Sequence, residues 1–361
     1  MDLLKTQGFV LIDVDVVALN NAGKSSSTNF DNGVATKTIS KNGSKFTYVS
    51  GQAWRYWWRE TLRKDFNWDL SPITRESKIA FTDANPLKYA DDDVFGYMKA
   101  AKDVVLKEDG TPELDSKGKE KKEDVTVTRI SPLKNSVLVS VASTKTEEHW
   151  SSMARQDGDS VPYSKEEYSA VMKGMFSIDL AQIGTFATYN KTGFKNLTSK
   201  LQEEGIANGC STIDDSFVKD AKGIPQKLVQ LPKQTRLKRT LDTLKALKTI
   251  SGGAMQTNNM GDVTPKFIIL ATTTSGNHPF SHIAKAEGAF KNIAVLNIEA
   301  IKEVLEDYKD QIKGRVFIGK RSGFMDEINN DLQSLTSDNV VVTTVNQAIE
   351  GYCKQLETQI V

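Results

Sequence analysis

The segment YVSGQAWRYWWRETL, residues 48–62, holds three of the five tryptophans in the chain. Trp54 and Trp58 are four residues apart, so they fall on one face of a helix. Arg55 and Arg59 repeat this spacing one residue later, about 100° around the helix axis. The pattern therefore predicts a helix that is anchored in a core by its tryptophans and carries a cationic ridge beside them.

The residues that precede this helix favour an anion site. Ser50 is a good N-cap, and Gly51 would lie in the first turn. Unpaired N–H groups and the positive dipole end attract anions, and a glycine lets a bulky anion come close. We expect a phosphate or carboxylate on Gly51 and Gln52, with Arg55 one turn further along. Alone this is a weak signal, because many helices begin with Ser-Gly and bind no ligand.

Composition indicates an ordinary globular protein. The chain has 361 residues, of which 39% are hydrophobic and 26% are charged. With only Cys210 and Cys353, a disulfide scaffold or a cysteine-rich metal site is not expected. The sequence shows no cleavable apolar signal and no run long enough to span a membrane, so a cytoplasmic protein with no membrane partner is predicted.

Basic residues are concentrated in two segments, although the formal net charge is only +1. Residues 20–59 contain six lysines and arginines against one acid, Asp31. Residues 225–275 contain eight basic residues against two acids. This distribution predicts a local groove for a polyanion rather than a uniformly basic surface.

The clearest strand is GFVLIDVDVVAL, residues 8–19. Apolar residues recur at every second position, namely Val10, Ile12, Val14 and Val16, with Asp13 and Asp15 between the later ones. A period of two residues is typical of a strand. These four valines and isoleucines are therefore expected on one buried face.

The order of the remaining elements narrows the fold class. A basic helix is predicted in residues 231–250, ending before Gly252 and Gly253, and a buried strand in residues 265–273. Strand and helix patterns then alternate to the end of the chain. We predict a single α+β domain over residues 1–361, with a split βαβ or RNA-recognition-motif (ferredoxin-like) core. Residues 103–124 carry many charges of both signs and are predicted to be a mobile inserted loop.

No constellation of an enzyme is visible. His278 and His282 are four residues apart, but Pro279 lies between them and a third metal ligand is lacking. The glycine-rich run at residues 251–262 has no GKS or GKT sequence and is no P-loop. We therefore predict no catalytic residues, no metal and no cofactor.

Several blocks of sequence resemble one family in spelling and in order: NNAGKSSSTNFDNGVATKT, YVSGQAWRYWWRETL, ESKIAFTDANPLKYADDDVFGYM, TRISPLKNSVLVSV, MARQDGD, YNKTG and GGAMQTNNMGD. The chain resembles the backbone subunit of type I-B CRISPR Cascade complexes, the DevR family of the RAMP superfamily. The resemblance implies a hand-shaped protein with a modified RNA-recognition palm and inserted finger and thumb loops. It also implies polymerisation along a guide crRNA, presentation of the guide to a target DNA strand in antiviral defence, and contacts with other copies and other Cascade subunits.

The resemblance and the basic segments together give a set of expected RNA-binding residues. They are Asn21, Lys24, Ser25, Ser26, Ser27, Asn29, Lys37 and Lys45 in and after the first loop, Ser50, Gly51, Gln52, Arg55 and Arg59 at the tryptophan helix, and Gly252, Gly253, Ala254 and Met255 in the glycine loop. Residues 144–168 are the candidate thumb, with Met153 as a possible wedge between bases.

Three substitutions separate the two roles of the tryptophan helix. Trp58→Ala is expected to compromise folding, because it removes a large buried side chain. Arg55→Ala and Gly51→Asp are expected to leave the fold nearly intact and to weaken RNA binding.

Two alternatives stay open at the level of sequence. Asp31 stands where related RNA-cleaving backbone subunits of type III complexes carry a loop aspartate, which allows a metal-dependent ribonuclease. A DNA-binding transcriptional regulator is the other alternative, although no helix-turn-helix with a basic recognition helix is evident. Short RNA that co-purifies in filaments would favour the guide backbone, and a dimer free of nucleic acid would favour a regulator.

Overall fold

The computed structural model describes residues 3–23, 33–76, 79–100, 102–104, 111–115, 118–124, 126–153, 157–190 and 195–360. The strands are β1 (Lys5–Val17), β2 (Thr38–Lys41), β3 (Ser44–Val49), β4 (Ile73–Glu76), β5 (Ile79–Thr82), β6 (Tyr97–Lys99), β7 (Lys102–Val104), β8 (Lys122–Asp124), β9 (Val127–Arg129), β10 (Leu133–Asn135), β11 (Leu138–Ser140), β12 (Glu147–Met153), β13 (Val161–Asp179), β14 (Thr185–Ala187), β15 (Ser211–Lys219), β16 (Pro225–Gln230), β17 (Phe267–Thr273), β18 (Ala284–Glu287), β19 (Ile293–Leu296), β20 (Val316–Lys320) and β21 (Val340–Thr343).

The α-helices are α1 (Gly51–Phe66), α2 (Ala90–Phe95), α3 (Ser199–Ala207), α4 (Lys233–Lys245), α5 (Gln256–Asn259), α6 (Ile298–Asp307), α7 (Asn329–Gln333) and α8 (Val345–Gln359). Short 3-10 helices cover Ala246–Lys248 and Asp326–Ile328. No helix in the described part of the chain is both long enough and apolar enough to cross a membrane.

A large mixed sheet in the order β2-β3-β11-β13-β1-β17-β20-β21 forms the centre of the fold. Its neighbouring strands are antiparallel except β20 and β21, which are parallel. Along the chain, β1, α1, β11, β13, α4 and β17 form a β-α-β-β-α-β series. The four strands of this series are adjacent in the order β11-β13-β1-β17. The predicted α+β class with a large sheet is confirmed.

The two faces of the sheet bury separate cores. Val10 and Ile12 of β1 belong to a core that includes the tryptophans of α1 and buried residues of α4 and α8. Phe9 and Leu11 point to the other face, where buried residues from α6 and the chain around β18 complete the second core. Because both faces are covered at this point, the consecutive residues 9–12 of β1 are all apolar and buried.

At the C-terminal end of β1, buried and exposed side chains no longer alternate regularly. The register with β13 shifts between Val14 and Val17, and Val16 has a φ of 46° and is 54% exposed. Val17 is buried instead. The expectation that Val16 continues the apolar face was wrong, because the extra residue of the irregular pairing turns its side chain out of the core.

A buried ion network joins two smaller sheets, β6-β9 and β14-β16-β15. Asp93 of α2 is fully buried and accepts hydrogen bonds from Arg129, from Arg239 at 2.7 Å, and from the backbone N–H of Gly184. Arg129 also donates to the Thr185 carbonyl at 3.0 Å. One carboxylate therefore holds α2, β9, α4 and the start of β14 together.

Two predicted insertions are partly described. The ends of the 103–124 segment are joined, because β7 and β8 pair from Lys102 with Asp124 to Val104 with Lys122. Residues 105–110 and 116–117 lie outside the described residues. In the 144–168 segment, β12 pairs with the first half of β13 as an antiparallel hairpin. The mobility of the first segment and the thumb role of the second stay predictions.

Candidate nucleic-acid interface

The start of α1 leaves backbone donors unpaired, as predicted from its cap. The Ser50 side chain accepts a hydrogen bond from the Ala53 N–H at 3.3 Å, and the Trp54 N–H donates to the Ser50 carbonyl at 3.1 Å. Among the described residues, the N–H groups of Gly51 and Gln52 have no protein acceptor. These two donors lie at the positive end of the helix dipole, which is the chemistry of an anion site.

Gly51 also makes a close contact within the protein. A Cβ at this position would lie 3.3 Å from Asn135 Nδ2 and 3.4 Å from the Ser136 carbonyl oxygen. The Asn135 amide donates to the Gly51 carbonyl at 3.2 Å. An aspartate at position 51 would therefore press on the connection between β10 and β11. The expectation that Gly51→Asp leaves the fold nearly intact is not supported by this packing.

Arg55 lies among protein acceptors rather than on a free ridge. One terminal nitrogen donates to the Leu133 carbonyl at 2.7 Å and to Asn135 Oδ1 at 3.0 Å. The other donates to the Phe95 carbonyl at 2.7 Å and to Ser131 Oγ at 2.8 Å. Burial is the main cause that lowers the pKa of the guanidinium to about 10. Arg55 is half-buried, and these hydrogen bonds tie α1 to α2 and β10. Its role as a phosphate contact stays a prediction.

Arg55→Ala is expected to lower the free energy of unfolding by about 2–4 kcal/mol, because it leaves several acceptors without their charged donor. The control is Arg63→Ala on the same helix, since Arg63 is 49% exposed and forms only a surface ion pair with Glu60. That change should stay within about 0.5 kcal/mol. Urea unfolding of both variants measures the difference. Equal stability of the two variants would contradict the structural role of Arg55.

The other arginines of the ridge differ in their surroundings. The Arg59 guanidinium lies 5.8 Å from the centre of the Phe95 ring and has no hydrogen-bond acceptor among the described residues. It therefore keeps its donors for a ligand. Arg63 forms its ion pair with Glu60 at 2.7 Å. Among the described side chains of the predicted ridge, Arg59 is therefore the arginine with no hydrogen-bond acceptor in the protein.

The glycine loop is shaped by its contact with the tryptophan helix. A Cβ at Gly252 would lie 2.2 Å from the Trp57 ring, so only glycine fits against this indole. Gly253 has a φ of +113° and Met255 a φ of 55°. The Gln256 side-chain amide donates to the Gly252 carbonyl. The loop therefore packs against α1 at Gly252, and the positive φ angles of Gly253 and Met255 change the direction of the chain after it.

Three segments that are far apart in the sequence meet here. The Ala254 N–H donates to the Leu19 carbonyl at 2.9 Å, which joins the glycine loop to the end of β1. The Asn20 side-chain amide donates to the Tyr48 carbonyl at 2.7 Å, which joins that same end to the residues before α1. We call this site the three-segment junction, and it comprises residues 19–21, 48–52 and 252–256.

The remaining expected contacts are only partly described. Asn21 is exposed, and its side-chain oxygen accepts a hydrogen bond from the Gly23 N–H at 2.6 Å. Lys37 is half-buried and Lys45 is exposed on β3. Met153 ends β12, and its side chain is not described. The residues Lys24, Ser25, Ser26, Ser27, Asn29 and Asp31 lie outside the described residues.

Most cationic side chains of the second basic segment have partners inside the protein. Six of its eight cationic side chains form ion pairs inside the protein: Lys227 with Asp214, Lys238 with Asp242, Arg239 with Asp93, Lys245 and Lys248 with Glu350, and Lys266 with Asp262. A seventh, Arg236, is buried and donates to the Leu231 carbonyl. These ion pairs leave less free positive charge than the composition of the segment suggests, because acids such as Glu350 lie beside its cations. Its part in binding a polyanion stays a prediction.

One part of the site gave no signal in the sequence. Thr36, just after the first loop, donates through its N–H and its hydroxyl to Glu166 of β13, at 2.9 and 3.1 Å. Asn259, just after the glycine loop, donates to Glu167 at 2.6 Å and to the Val16 carbonyl at 3.0 Å. These bonds fasten the base of the β12–β13 hairpin to the surroundings of the three-segment junction. Ordinary polar residues in unrelated segments do not reveal such pairing in advance.

Comparison with known proteins yields one family. The model of the family described as "CRISPR-associated negative auto-regulator DevR/Csa2" matches residues 10–291. No curated protein matches the sequence. Among solved structures, a chain of a CRISPR RNA-guided surveillance complex aligns over 98% of this chain and 99% of its own length, with 10% identity and a TM-score of 0.48. A chain of such a complex in a pre-nicking state aligns over 97% and 99%, with 9% identity and a TM-score of 0.48.

Proposed function

The chain belongs to the DevR/Csa2 family of CRISPR-associated proteins, and from that premise we propose that it is the backbone subunit of a type I-B Cascade complex, within the RAMP superfamily. In this role it polymerises along a guide crRNA through contacts to phosphates. The guide bases stay exposed for pairing with a target DNA strand. Its partners are further copies of itself and the other Cascade subunits, and the function is antiviral defence.

The three-segment junction is the observation that carries this proposal. It brings the unpaired N–H groups of Gly51 and Gln52 together with the polar end of β1 and a loop held in left-handed backbone conformations. Such a surface offers donors to phosphate oxygens, and it offers few side chains that could read base identity. It therefore suits a guide of any sequence.

The strand order supports a palm of the RNA-recognition type. The β-α-β-β-α-β series with central order β11-β13-β1-β17 is the arrangement of a ferredoxin-like core. The β12–β13 hairpin projects from this core and is our candidate thumb. The chain between β1 and β2 is the candidate finger.

We propose that the subunit binds RNA without cleaving it. The argument is chemical: among the described residues, no three His, Cys, Asp or Glu side chains are grouped so that they could hold a metal ion. Incubation of the assembled complex with labelled complementary RNA and magnesium should return the RNA at full length.

Gln52→Glu tests the junction directly. The exposed side chain stays the same size, but a carboxylate now stands where a phosphate would bind, so RNA affinity should fall about tenfold. Folding stability should hold or rise by about 0.3–1 kcal/mol, because an acid at a helix N-terminus is favourable. The matched control is Gln234→Glu, an exposed glutamine at the same position of α4, which should leave RNA binding unchanged. Fluorescence anisotropy with a short single-stranded RNA and a thermal melt measure both quantities.

Salt dependence provides the second measurement in the same experiment. The slope of log affinity against log salt should be shallower for Gln52→Glu by about 0.7 if one phosphate contact is lost. RNA affinity that is identical in wild type and Gln52→Glu would remove the helix start from the interface. Affinity that does not depend on salt in the wild-type protein would overturn the phosphate-binding function.

A further inference from the structure

The β18–β19 hairpin carries an aromatic ring at its tip. Phe290 is 84% exposed. Gly288 and Lys291 have φ values of +88° and 50°, and the Lys291 N–H donates to the Gly288 carbonyl at 3.0 Å, which closes a tight turn. An exposed apolar side chain alone needs no explanation. Here, however, hydrogen bonds of the turn and of Ser143 hold the backbone on which the ring is carried.

The tip is fastened to the segment that follows β11. The Ser143 N–H and hydroxyl both donate to the Lys291 carbonyl at 3.2 Å. The next N–H, of Thr144, donates to the carbonyl of Lys45 on β3 at 2.9 Å. Ser143 and Thr144 are consecutive residues. They therefore connect the turn that carries Phe290 to Lys45 of strand β3.

Two lysines belong to this tip or are joined to it. Lys291 follows Phe290, and Lys45 is joined to the tip through Thr144 and Ser143. Among the described residues, neither lysine forms an ion pair with a carboxylate. Lys173 donates to the Ser281 carbonyl at 3.3 Å. Lys145 contacts Glu147 only at 3.5 Å, and both side chains are mostly exposed. Burial, and then the charge of Lys41, lower the pKa of Lys173, which is consistent with cations that crowd one another here. This area differs from residues 225–275, where most of the lysines form ion pairs.

We infer that Phe290, Lys291 and Lys45 form a second contact for single-stranded nucleic acid, in which the ring stacks on a nucleobase and the two lysines bind the flanking phosphates. The inference rests on the proposed function and extends it. An exposed ring among cations fits a single strand, because only a single strand offers a free base face beside its phosphates. A protein partner would have to bury the charges of both lysines beside one ring, which is costly.

The second contact is within reach of the first. β3 runs from Ser44 to Val49, and Ser50 caps α1 directly after it. At about 3.3 Å per residue, Lys45 is about 17 Å from Ser50 along this strand. One nucleic-acid strand could therefore follow β3 from the three-segment junction to Phe290.

The test compares Phe290→Ala with a matched control in the full-length protein. Phe290→Ala should weaken binding of short oligouridylate or oligothymidylate about tenfold, the effect of losing one stacked base. Phe290→Trp should restore binding, because it restores the ring. Phe217→Ala removes a similarly exposed ring, 63% exposed on β15, and should have no effect. An abasic oligonucleotide should bind wild type and Phe290→Ala equally.

The outcomes separate this inference from the proposed function. If Phe290→Ala weakens the binding of oligouridylate more, the contact belongs to the guide. If it weakens the binding of oligothymidylate more, the contact belongs to a DNA strand. Both results support a nucleic-acid contact. Wild-type binding that Phe290→Ala leaves unchanged overturns this inference alone. So does a loss of self-association in the absence of nucleic acid, since the ring would then belong to a subunit contact. Failure of the wild-type protein to bind any single strand overturns the proposed function itself.

Discussion

Asp93→Ala is expected to destabilise the protein by about 3–5 kcal/mol, because two buried arginines lose their shared carboxylate. Arg129 and Arg239 are almost fully buried, and both donate to Asp93. The Gly184 N–H loses its acceptor in the same change. Removal of one partner thus leaves charges and a backbone donor without compensation in a region that water does not reach.

Chemical denaturation is the measurement for Asp93. Asp93→Asn keeps one acceptor oxygen and should fall between wild type and Asp93→Ala. The control is Asp69→Ala, which removes an exposed carboxylate and should change stability by about 0.5 kcal/mol at most. If Asp93→Ala unfolds at the same denaturant concentration as Asp69→Ala, the network does not stabilise the junction between the two sheets.

Trp58→Ala should cost a similar amount, about 3–5 kcal/mol. Trp58 is fully buried, its indole N–H donates to the Thr243 carbonyl at 2.7 Å, and its ring meets Phe176 edge-on at 5.2 Å. The substitution therefore opens a cavity between α1, α4 and the central sheet, and it removes the donor to a buried carbonyl. Because α1 carries the three-segment junction, loss of this anchor should abolish RNA binding together with the fold.

The control for Trp58 is another aromatic residue of the same helix. Tyr56 is 55% exposed, so Tyr56→Ala should leave the thermal midpoint nearly unchanged. Thermal melts followed by tryptophan fluorescence compare the two variants. A Trp58→Ala protein that melts like wild type and still binds RNA would show that α1 is held by other contacts.

Much of the fold could be predicted because it is encoded by local patterns. The cap at Ser50, the buried tryptophans of α1 and the fully buried strand β17 follow from spacing and side-chain type alone. The irregular end of β1 could not be predicted in this way. Val16 leaves the apolar face because of how β1 pairs with β13, and that pairing partner is more than a hundred residues away.

In the candidate site, too, local patterns predicted some features, and contacts between distant residues decided the others. The three segments that we propose for phosphate contacts were chosen from the sequence, since a capped helix start, a polar loop and a glycine run each have a recognisable composition. It could not indicate the partners of individual charges. Arg55 stands one residue from Trp54 on a regular ridge, yet its donors are taken by acceptors from α2 and β10.

The sequence by itself determined the α+β class, the elements that build the central sheet, and the helix start that offers free N–H groups. These depend on hydrophobic period, caps and glycines, which act over a few residues. Only the tertiary structure decided which cations remain free for a ligand, how Asp93 joins two sheets, and how Phe290 comes to lie beside β3. An ion pair or a surface patch depends on which distant residues the fold brings within a few ångströms, and no local pattern records that distance.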